Sequence, residues 1–158
     1  MSPEEPDPSR RRRVIAVASA GGHFNQLMLL RPGFEGQDVH FMTTRPGLAA
    51  QFGALPASQV PDCNAKTPFR ALLCIAVTAW RILRIRPEAI VTTGALPGVI
   101  ALAFGRAVGA RTLWVDSVAN AEELSASGRL ARRIAHRTLS QWPAVARAEG
   151  VEYAGSVL

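Results

Sequence analysis

Short apolar runs alternate with segments of helical pattern along most of this chain, and no other feature limits its possible folds as strongly. The apolar runs predict β-strands, the last of them weakly, at residues 14–19, 39–43, 89–93, 111–116 and 138–140. The segments between them predict helices at residues 24–31, 48–53, 69–86, 97–108, 128–137 and 143–149. Apolar strands separated by helices indicate a parallel sheet covered on both faces. Right-handed crossovers then give a Rossmann-like, doubly wound α/β fold.

A chain of 158 residues is long enough for one domain with a real core. Residues 1–13 are expected to form a disordered basic tail, because prolines and acidic residues precede the run Arg10, Arg11, Arg12 and Arg13. This stretch lacks the apolar segment of a secretion signal. The domain is therefore expected at residues 14–158.

The net charge of +6 comes from basic residues that are all arginine except one. Arginine suits phosphate groups and anionic surfaces in general. Nucleic acid is not expected as a partner, because the chain has no nucleic-acid motif and no aromatic residues interleaved with the basic ones. Cys63 and Cys74 have no metal-site spacing and are expected to be buried in a reducing compartment. The scattered histidines predict no metal site, and no cofactor is expected.

Polar and glycine-rich groups follow four of the predicted strands. They occupy residues 19–23, 43–47, 92–98 and 116–117. On a parallel sheet the carboxyl ends of the strands share one edge, which is where such folds bind ligands. The four groups are therefore expected to converge.

The first group contains Gly21, Gly22 and His23 between a predicted strand and a predicted helix. Free N–H groups at a helix start favour an anion, and glycines let it approach closely. Histidine can move a proton near neutral pH. A tight strand–helix turn alone would also explain the glycines, and His23 could be a capping residue.

The later groups have the same two interpretations. Thr93 and Gly94 form either a plain turn or a second wall of the pocket. Asp116 either caps the next segment, or accepts a hydrogen bond from an acceptor hydroxyl or orients a base.

The predicted helix at residues 69–86 places Arg70, Arg81 and Arg84 in one narrow stripe on an otherwise mostly apolar surface. Its uncharged part, residues 71–80, is too short to span a bilayer, which needs about 20 apolar residues. One interpretation buries it against the sheet with its arginines in solvent. The other sinks it partly into a membrane interface, where the arginines reach lipid phosphates.

Six motifs in this order resemble one family: Ser-x-Gly-Gly-His, Thr-Thr-Gly-Ala, Val-Asp-Ser, Ser-x-Ser-Gly-Arg-Leu, Ser-Gln-Trp-Pro and Tyr-Ala-Gly. The chain resembles the acceptor-side, membrane-associated subunit of the two-part UDP-N-acetylglucosamine transferase of dolichol-linked oligosaccharide synthesis. It is similar to the corresponding bacterial exopolysaccharide and capsule glycosyltransferase subunits. More distantly, it is similar to the N-terminal half of the peptidoglycan lipid-intermediate N-acetylglucosaminyltransferase.

The resemblance implies an N-terminal-type GT-B domain that binds a polyprenyl-diphosphate-linked acceptor at the cytoplasmic face of the plasma membrane. A separate chain would carry the nucleotide-sugar site. Residues expected at the acceptor diphosphate are Ser19, Gly21, Gly22, Thr93, Gly94 and Ala95. His23 is the expected catalytic base, and Asp116 is the alternative base or the group that orients it. The segment 140–143 matches a motif whose role in the family is structural.

The chain departs from this family at two places. Gln26 stands where many relatives have glutamate, and the hydrophobic N-terminal anchor of eukaryotic members is missing. Peripheral binding to an anionic membrane is expected instead, through Arg10–Arg13 and the three arginines of the helix at residues 69–86. No second α/β unit is expected after residue 158, and the chain is therefore expected to be inactive alone. The alternative is a non-catalytic scaffold that recruits a partner glycosyltransferase.

Overall fold

The computed structural model describes residues 10–157 and consists of one six-stranded parallel sheet with helices on both faces. The strands are β1 (Arg13–Ala18), β2 (Asp38–Thr43), β3 (Ala57–Gln59), β4 (Ala89–Thr92), β5 (Arg111–Val115) and β6 (Arg137–Leu139). The helices are α1 (Gly22–Leu29), α2 (Leu48–Gln51), α3 (Pro68–Ile85), α4 (Ala95–Ala107), α5 (Ala126–Ile134) and α6 (Pro143–Glu149). The strand order is β3-β2-β1-β4-β5-β6, and the predicted Rossmann-like α/β fold is confirmed.

Successive residues of β1 face opposite sides of the sheet and so contribute to two cores. Ile15 and Val17 pack in the core that also contains residues of α3, α4 and α5, among them Ile82 and Leu102. Ala16 and Ala18 pack in the second core, with the buried aromatic ring of Phe24 from α1. Burial of β1 on both faces explains why residues 14–18 are all apolar rather than apolar at alternate positions.

Two elements were not predicted, and the bounds of most others differ from the prediction by about one to three residues. The edge strand β3 was not predicted, because its three residues include no large apolar side chain. It forms through its backbone pairing with β2, where Phe41 lies opposite Ala57. A 3-10 helix at Arg31–Phe34 was also missed. α4 begins at Ala95, two residues before the predicted start at Pro97.

The predicted tail lies mostly outside the described residues, but its last four residues are within them. Arg13 is the first residue of β1, one position before the predicted strand. Its Nε donates to the Arg86 carbonyl at 2.9 Å, and Arg10 forms an ion pair with Glu88 at 2.9 Å. These contacts place both arginines at the amino edge of the sheet.

Cys63 and Cys74 are both buried, as predicted, and pack with Ile100 in a small apolar cluster. Burial is the main cause that raises the pKa of the Cys63 thiol to about 12, and a hydrogen bond with Cys74 is the second cause. A thiol that stays protonated at neutral pH is a poor nucleophile, which agrees with a packing role.

The stability of the domain is expected to fall in mild acid because of His40. This half-buried residue of β2 shares a 2.6 Å hydrogen bond with Ser58 of β3. Burial, and secondarily the charge of Arg81, lower its pKa below the ordinary value of 6.5, against the opposing effect of Asp38. The unfolded chain therefore binds more protons, so the contribution of His40 to stability is complete above pH 6.5 and is lost as pH falls through the lowered pKa.

Thermal melts of the wild type and of His40→Gln, recorded from about pH 7.5 to about pH 5, test this linkage. The wild type is expected to lose more stability over that range than the variant. If both proteins lose the same amount of stability over this pH range, His40 is not the group responsible for the pH dependence.

Candidate active site

The loops that follow β1, β2 and β4 meet at the carboxyl edge of the sheet, as the sequence predicted. The N–H of Ala20 donates to Thr44 Oγ1 at 3.0 Å, which joins the β1 loop to the β2 loop. Thr93 Oγ1 donates to the His23 carbonyl at 2.6 Å, which joins the β1 loop to the β4 loop. The starts of α1 and α4 therefore lie side by side.

The glycine loop, residues 19–23, leaves space in front of the start of α1. Gly21 precedes the helix with a φ of 88°, and no side chain caps the helix there. A Cβ built on Gly21 or Gly22 would meet no atom within 4 Å. The N–H groups of the first helical turn have no acceptor within the helix. Open space, free donors and the positive end of the helix dipole together form a place where an anion can bind.

The ring of His23 lies directly against the backbone of Gly94. A Cβ at Gly94 would come within 2.2 Å of His23 Nδ1 and 2.5 Å of Cε1. The φ of Gly94 is 149°, a conformation that side chains rarely adopt. Glycine is therefore required at position 94 both by its backbone and by the imidazole ring.

A carbonyl fixes which His23 nitrogen carries the proton. Nδ1 lies 3.2 Å from the Thr93 carbonyl oxygen, which can only accept a hydrogen bond. Nδ1 must therefore donate, and in the neutral ring Nε2 keeps its lone pair. This is the arrangement that a general base needs.

Two of the residues predicted to bind the diphosphate use their donors within the protein. The Thr93 hydroxyl donates to His23, and the Gly94 N–H donates to Thr92 Oγ1 at 3.3 Å. Both residues position His23. Gly21 and Gly22 keep open space in front of them.

Ala95, at the start of α4, has a φ of 68°, so replacing it with glycine is expected to stabilise the domain. The left-handed conformation costs a residue with a Cβ about 1–2 kcal/mol. Ala95→Gly is therefore expected to raise the free energy of unfolding by about 1 kcal/mol in urea denaturation. Ala103→Gly, at an exposed position inside the same helix, is the matched control and is expected to lose about 1 kcal/mol. Equal losses in both variants would contradict the assignment of strain to Ala95.

Asp116 does not contact His23 in the part of the chain that the structure describes. Its carboxylate is 1% exposed and accepts hydrogen bonds from Trp114 Nε1, Asn120 Nδ2, and both the N–H and the hydroxyl of Ser125. Ser125 in turn caps α5 by accepting from the Gly128 N–H at 2.8 Å. Asp116 therefore has the capping role that was one of the two predicted alternatives. Its hydrogen bonds also hold the whole loop between β5 and α5 in place.

The sequence did not predict a buried amide network behind the glycine loop. Gln26 of α1 donates to Ser117 Oγ at 3.0 Å and accepts from Gln141 Nε2 at 2.8 Å. These contacts attach α1 to the loops after β5 and β6. The only signal that pointed to this position was the departure at Gln26 from the family that the sequence resembles.

The outward face of α3 is apolar. The helix buries Cys74, Thr78 and Ile82 on its inner face. It exposes a row of large apolar side chains, the apolar stripe, formed by Phe69, Leu72, Leu73, Trp80 and Leu83, with 85% of Phe69 and 62% of Leu83 accessible. No helix within residues 10–157 is long and apolar enough to cross a membrane.

The arginines of α3 lie along one flank of the apolar stripe. The helical period places Arg70, Arg81 and Arg84 on one side of the helix. The guanidinium carbons of Arg81 and Arg84 lie 4.8 and 5.8 Å from the centre of the Trp80 ring. Arg10–Arg13, also predicted to contact a membrane, lie at the other end of the strands from the glycine loop.

A groove runs from the loop after β2 to the first half of α3. It has a volume of about 490 Å³, and its lining includes Thr44, Gln59, Arg70 and Leu73. Two larger grooves, of about 620 and 610 Å³, are lined by no residue of the four loops. The groove at Arg70 therefore links the β2 loop to α3, and the hydrogen bond between Ala20 and Thr44 joins the β2 loop to the glycine loop.

No protein-family model matches this sequence, and neither does any curated protein sequence. Solved structures do share its fold. MurG of Acinetobacter baumannii superposes with a TM-score of 0.71 at 15% identity, over 85% of this chain and 43% of MurG. A UDP-GlcNAc 2-epimerase of Methanocaldococcus jannaschii gives 0.65 at 13% identity, over 89% of this chain and 43% of the epimerase. A glycosyltransferase of Rickettsia africae superposes with a TM-score of 0.58 at 13% identity, over 83% of this chain and 37% of the glycosyltransferase.

Similarity at this level of identity establishes the fold. The chain spans about two fifths of the length of these three proteins. The domain has the fold of one half of a GT-B protein, and the glycine loop, His23 and Gly94 lie at its carboxyl edge.

Proposed function

We propose that this domain is the acceptor-binding, membrane-docking half of a two-chain glycosyltransferase. The complex would move a sugar from a UDP-sugar, such as UDP-N-acetylglucosamine, to a polyprenyl-diphosphate-linked glycan in polysaccharide synthesis. The domain would act as a peripheral protein at the cytoplasmic face of the plasma membrane. A separate chain would supply the nucleotide-sugar site.

The observation that carries this proposal is the position of His23 beside an open helix start. The Thr93 carbonyl holds Nδ1, so Nε2 is free to accept a proton, and Gly94 leaves space for the ring. The donors of the glycine loop lie next to this base. A diphosphate and an acceptor hydroxyl can therefore be bound within reach of one proton acceptor.

In the proposed reaction the acceptor hydroxyl attacks the anomeric carbon of the UDP-sugar. His23 Nε2 takes the hydroxyl proton as the new carbon–oxygen bond forms. The bond from the anomeric carbon to the UDP oxygen breaks, and UDP leaves with its electron pair. The N–H groups at Gly21 and Gly22 hold the acceptor diphosphate, since free amides at a helix start bind phosphate oxygens.

The apolar stripe supports docking to an anionic membrane. A helix that lies in a membrane interface buries an apolar face and directs its basic residues to lipid phosphates. The stripe and the flanking Arg70, Arg81 and Arg84 have this arrangement. The groove at Arg70 offers the first part of a polyprenyl chain a path from the interface to the β2 loop, which is hydrogen-bonded to the glycine loop through Ala20 and Thr44.

Replacing two leucines of the stripe with glutamate is expected to abolish most vesicle binding. A buried leucine contributes about 1.5–3 kcal/mol, so Leu72→Glu with Leu83→Glu should weaken binding to phosphatidylglycerol vesicles by more than about tenfold. Cosedimentation measures this effect. Leu130→Glu, on α5, is the matched control because Leu130 is also exposed and lies outside the stripe. Equal loss in the control would mean that the stripe is not the docking surface.

The scaffold alternative keeps the membrane and partner contacts but removes the proton transfer. It is favoured by one observation: within residues 10–157, His23 hydrogen-bonds to Thr93 and to no carboxylate. Sugar transfer by the complex with the donor-binding chain separates the two roles. If His23→Ala leaves the turnover rate unchanged, the catalytic assignment is wrong and the scaffold remains. A large loss with unchanged vesicle binding supports the catalytic role.

A further inference from the structure

The last described residues of the chain are attached to the domain by very few hydrogen bonds. Glu152 pairs beside β6, where its carbonyl accepts from the Ser140 N–H and its N–H donates to Thr138. Residues 153–157, here called the strap, follow. Among the described residues the strap makes one hydrogen bond, from the Val157 N–H to Gln141 Oε1 at 2.9 Å. Beneath it lies a cavity of about 220 Å³, lined mainly by apolar atoms of residues such as Leu30 and Val115.

Gln141, which holds the strap, is 3% exposed and uses every polar atom of its side chain. Its Oε1 accepts from the strap, and its Nε2 donates to Gln26 Oε1 at 2.8 Å and to the Asp116 carbonyl at 2.9 Å. Gln26 Oε1 also accepts from the Val118 N–H at 3.1 Å. If either side-chain amide were turned by 180°, its NH₂ group would face N–H donors that its oxygen now accepts from. Both amides are therefore fixed in one orientation.

This network leads to the helix that carries His23. Gln26 lies three residues after His23, so the two are neighbours on one face of α1. The Nε2 of Gln26 donates to Ser117 Oγ. If the strap lifts, Gln141 Oε1 exchanges the Val157 N–H for water, and the amide of Gln141 is no longer held in one orientation. The change in the Gln141 side chain then alters the position of the Gln26 side chain, which moves the first turn of α1.

We propose that Gln141 is a positioning residue that couples the seating of the strap to the geometry of His23. A partner that presses the strap onto the domain fixes α1, and one that lifts the strap releases it. The coupling is reciprocal, so a ligand bound at the glycine loop also tightens the strap. This inference rests on the proposed function, because the position of His23 matters only if it acts on a bound acceptor.

Val157→Pro tests the coupling, because proline has no N–H and so removes the hydrogen bond to Gln141. The full chain, labelled with ¹⁵N, is observed by NMR without ligand or partner. The expected result is a shift, larger than the linewidth, of the side-chain amides of Gln141 and Gln26 and of the ring nitrogens of His23. Val157→Ala keeps the N–H and is expected to leave these signals in place.

Two further variants decide the outcome. Gln141→Met removes the hydrogen bonds at similar side-chain length and must move the His23 signals in the same direction. In a Gln26→Met background, Val157→Pro must no longer affect His23. If Val157→Pro shifts the signals of Gln141 but leaves those of Gln26 and His23 unchanged, the proposal is overturned. The readout needs neither donor sugar nor acceptor, so its failure would leave the proposed transferase role standing.

Discussion

Replacing Gly94 with alanine is expected to reduce sugar transfer by about 100-fold, the loss typical of a reacting group displaced by about 1 Å. The new Cβ would stand 2.2 Å from His23 Nδ1, so the ring must leave its place against the Thr93 carbonyl. Without that carbonyl, nothing keeps the Nε2 lone pair directed at the acceptor. The ¹⁵N signals of the His23 ring and the turnover rate of the complex should change together.

The control for this variant is Gly109→Ala. Gly109 also has a positive φ, 84°, but a Cβ there would meet no atom within 4 Å. Both variants therefore carry backbone strain of about 1–3 kcal/mol, and only Gly94→Ala displaces His23. Equal transfer rates in the two variants would mean that the ring position is irrelevant to the reaction.

Replacing Asp116 with alanine is expected to lower the free energy of unfolding by about 3 kcal/mol, because several buried donors lose their acceptor at once. Trp114 Nε1 and the N–H of Ser125 have no other acceptor in the described structure. The cap of α5 also depends on Ser125, whose hydroxyl lies 2.6 Å from the carboxylate. Urea denaturation measures the loss.

Glu122→Ala is the matched control, since Glu122 is an exposed carboxylate of the same loop. It should change stability by less than about 0.5 kcal/mol. Asp116→Ala could instead prove as stable as the control and yet abolish transfer. That result would restore Asp116 as the alternative base and contradict its role as the organiser of the loop.

The sheet and the convergence of the loops were predictable because both follow from local patterns. Apolar runs define β1, β2, β4 and β5, and parallel strands bring their carboxyl ends to one edge. The contact of His23 with Gly94 was not predictable. It joins residues about seventy positions apart, and Gly94 in isolation is indistinguishable from an ordinary turn residue.

The orientation of α3 was only half predictable. Its arginines formed a visible stripe, but the rest of the helix is apolar nearly all round. Which arc faces the sheet is decided by the packing of Cys74, Thr78 and Ile82, two of them small side chains that allow close approach. The large residues, such as Phe69 and Trp80, are consequently left outside. Tertiary packing, not hydropathy, determined the orientation of this helix.

Titration of the ¹⁵N-labelled chain with farnesyl diphosphate tests the central claim most directly. The predicted result is a saturable shift of the amide signals of Gly21, Gly22 and His23, absent with farnesol. Gly22→Asp places a carboxylate in the open space of the loop and should abolish the shift. Gly33→Asp, at an equally open glycine, should not. Diphosphate binding that leaves the Gly21–His23 signals unchanged, or that survives Gly22→Asp, would contradict an acceptor site at this loop.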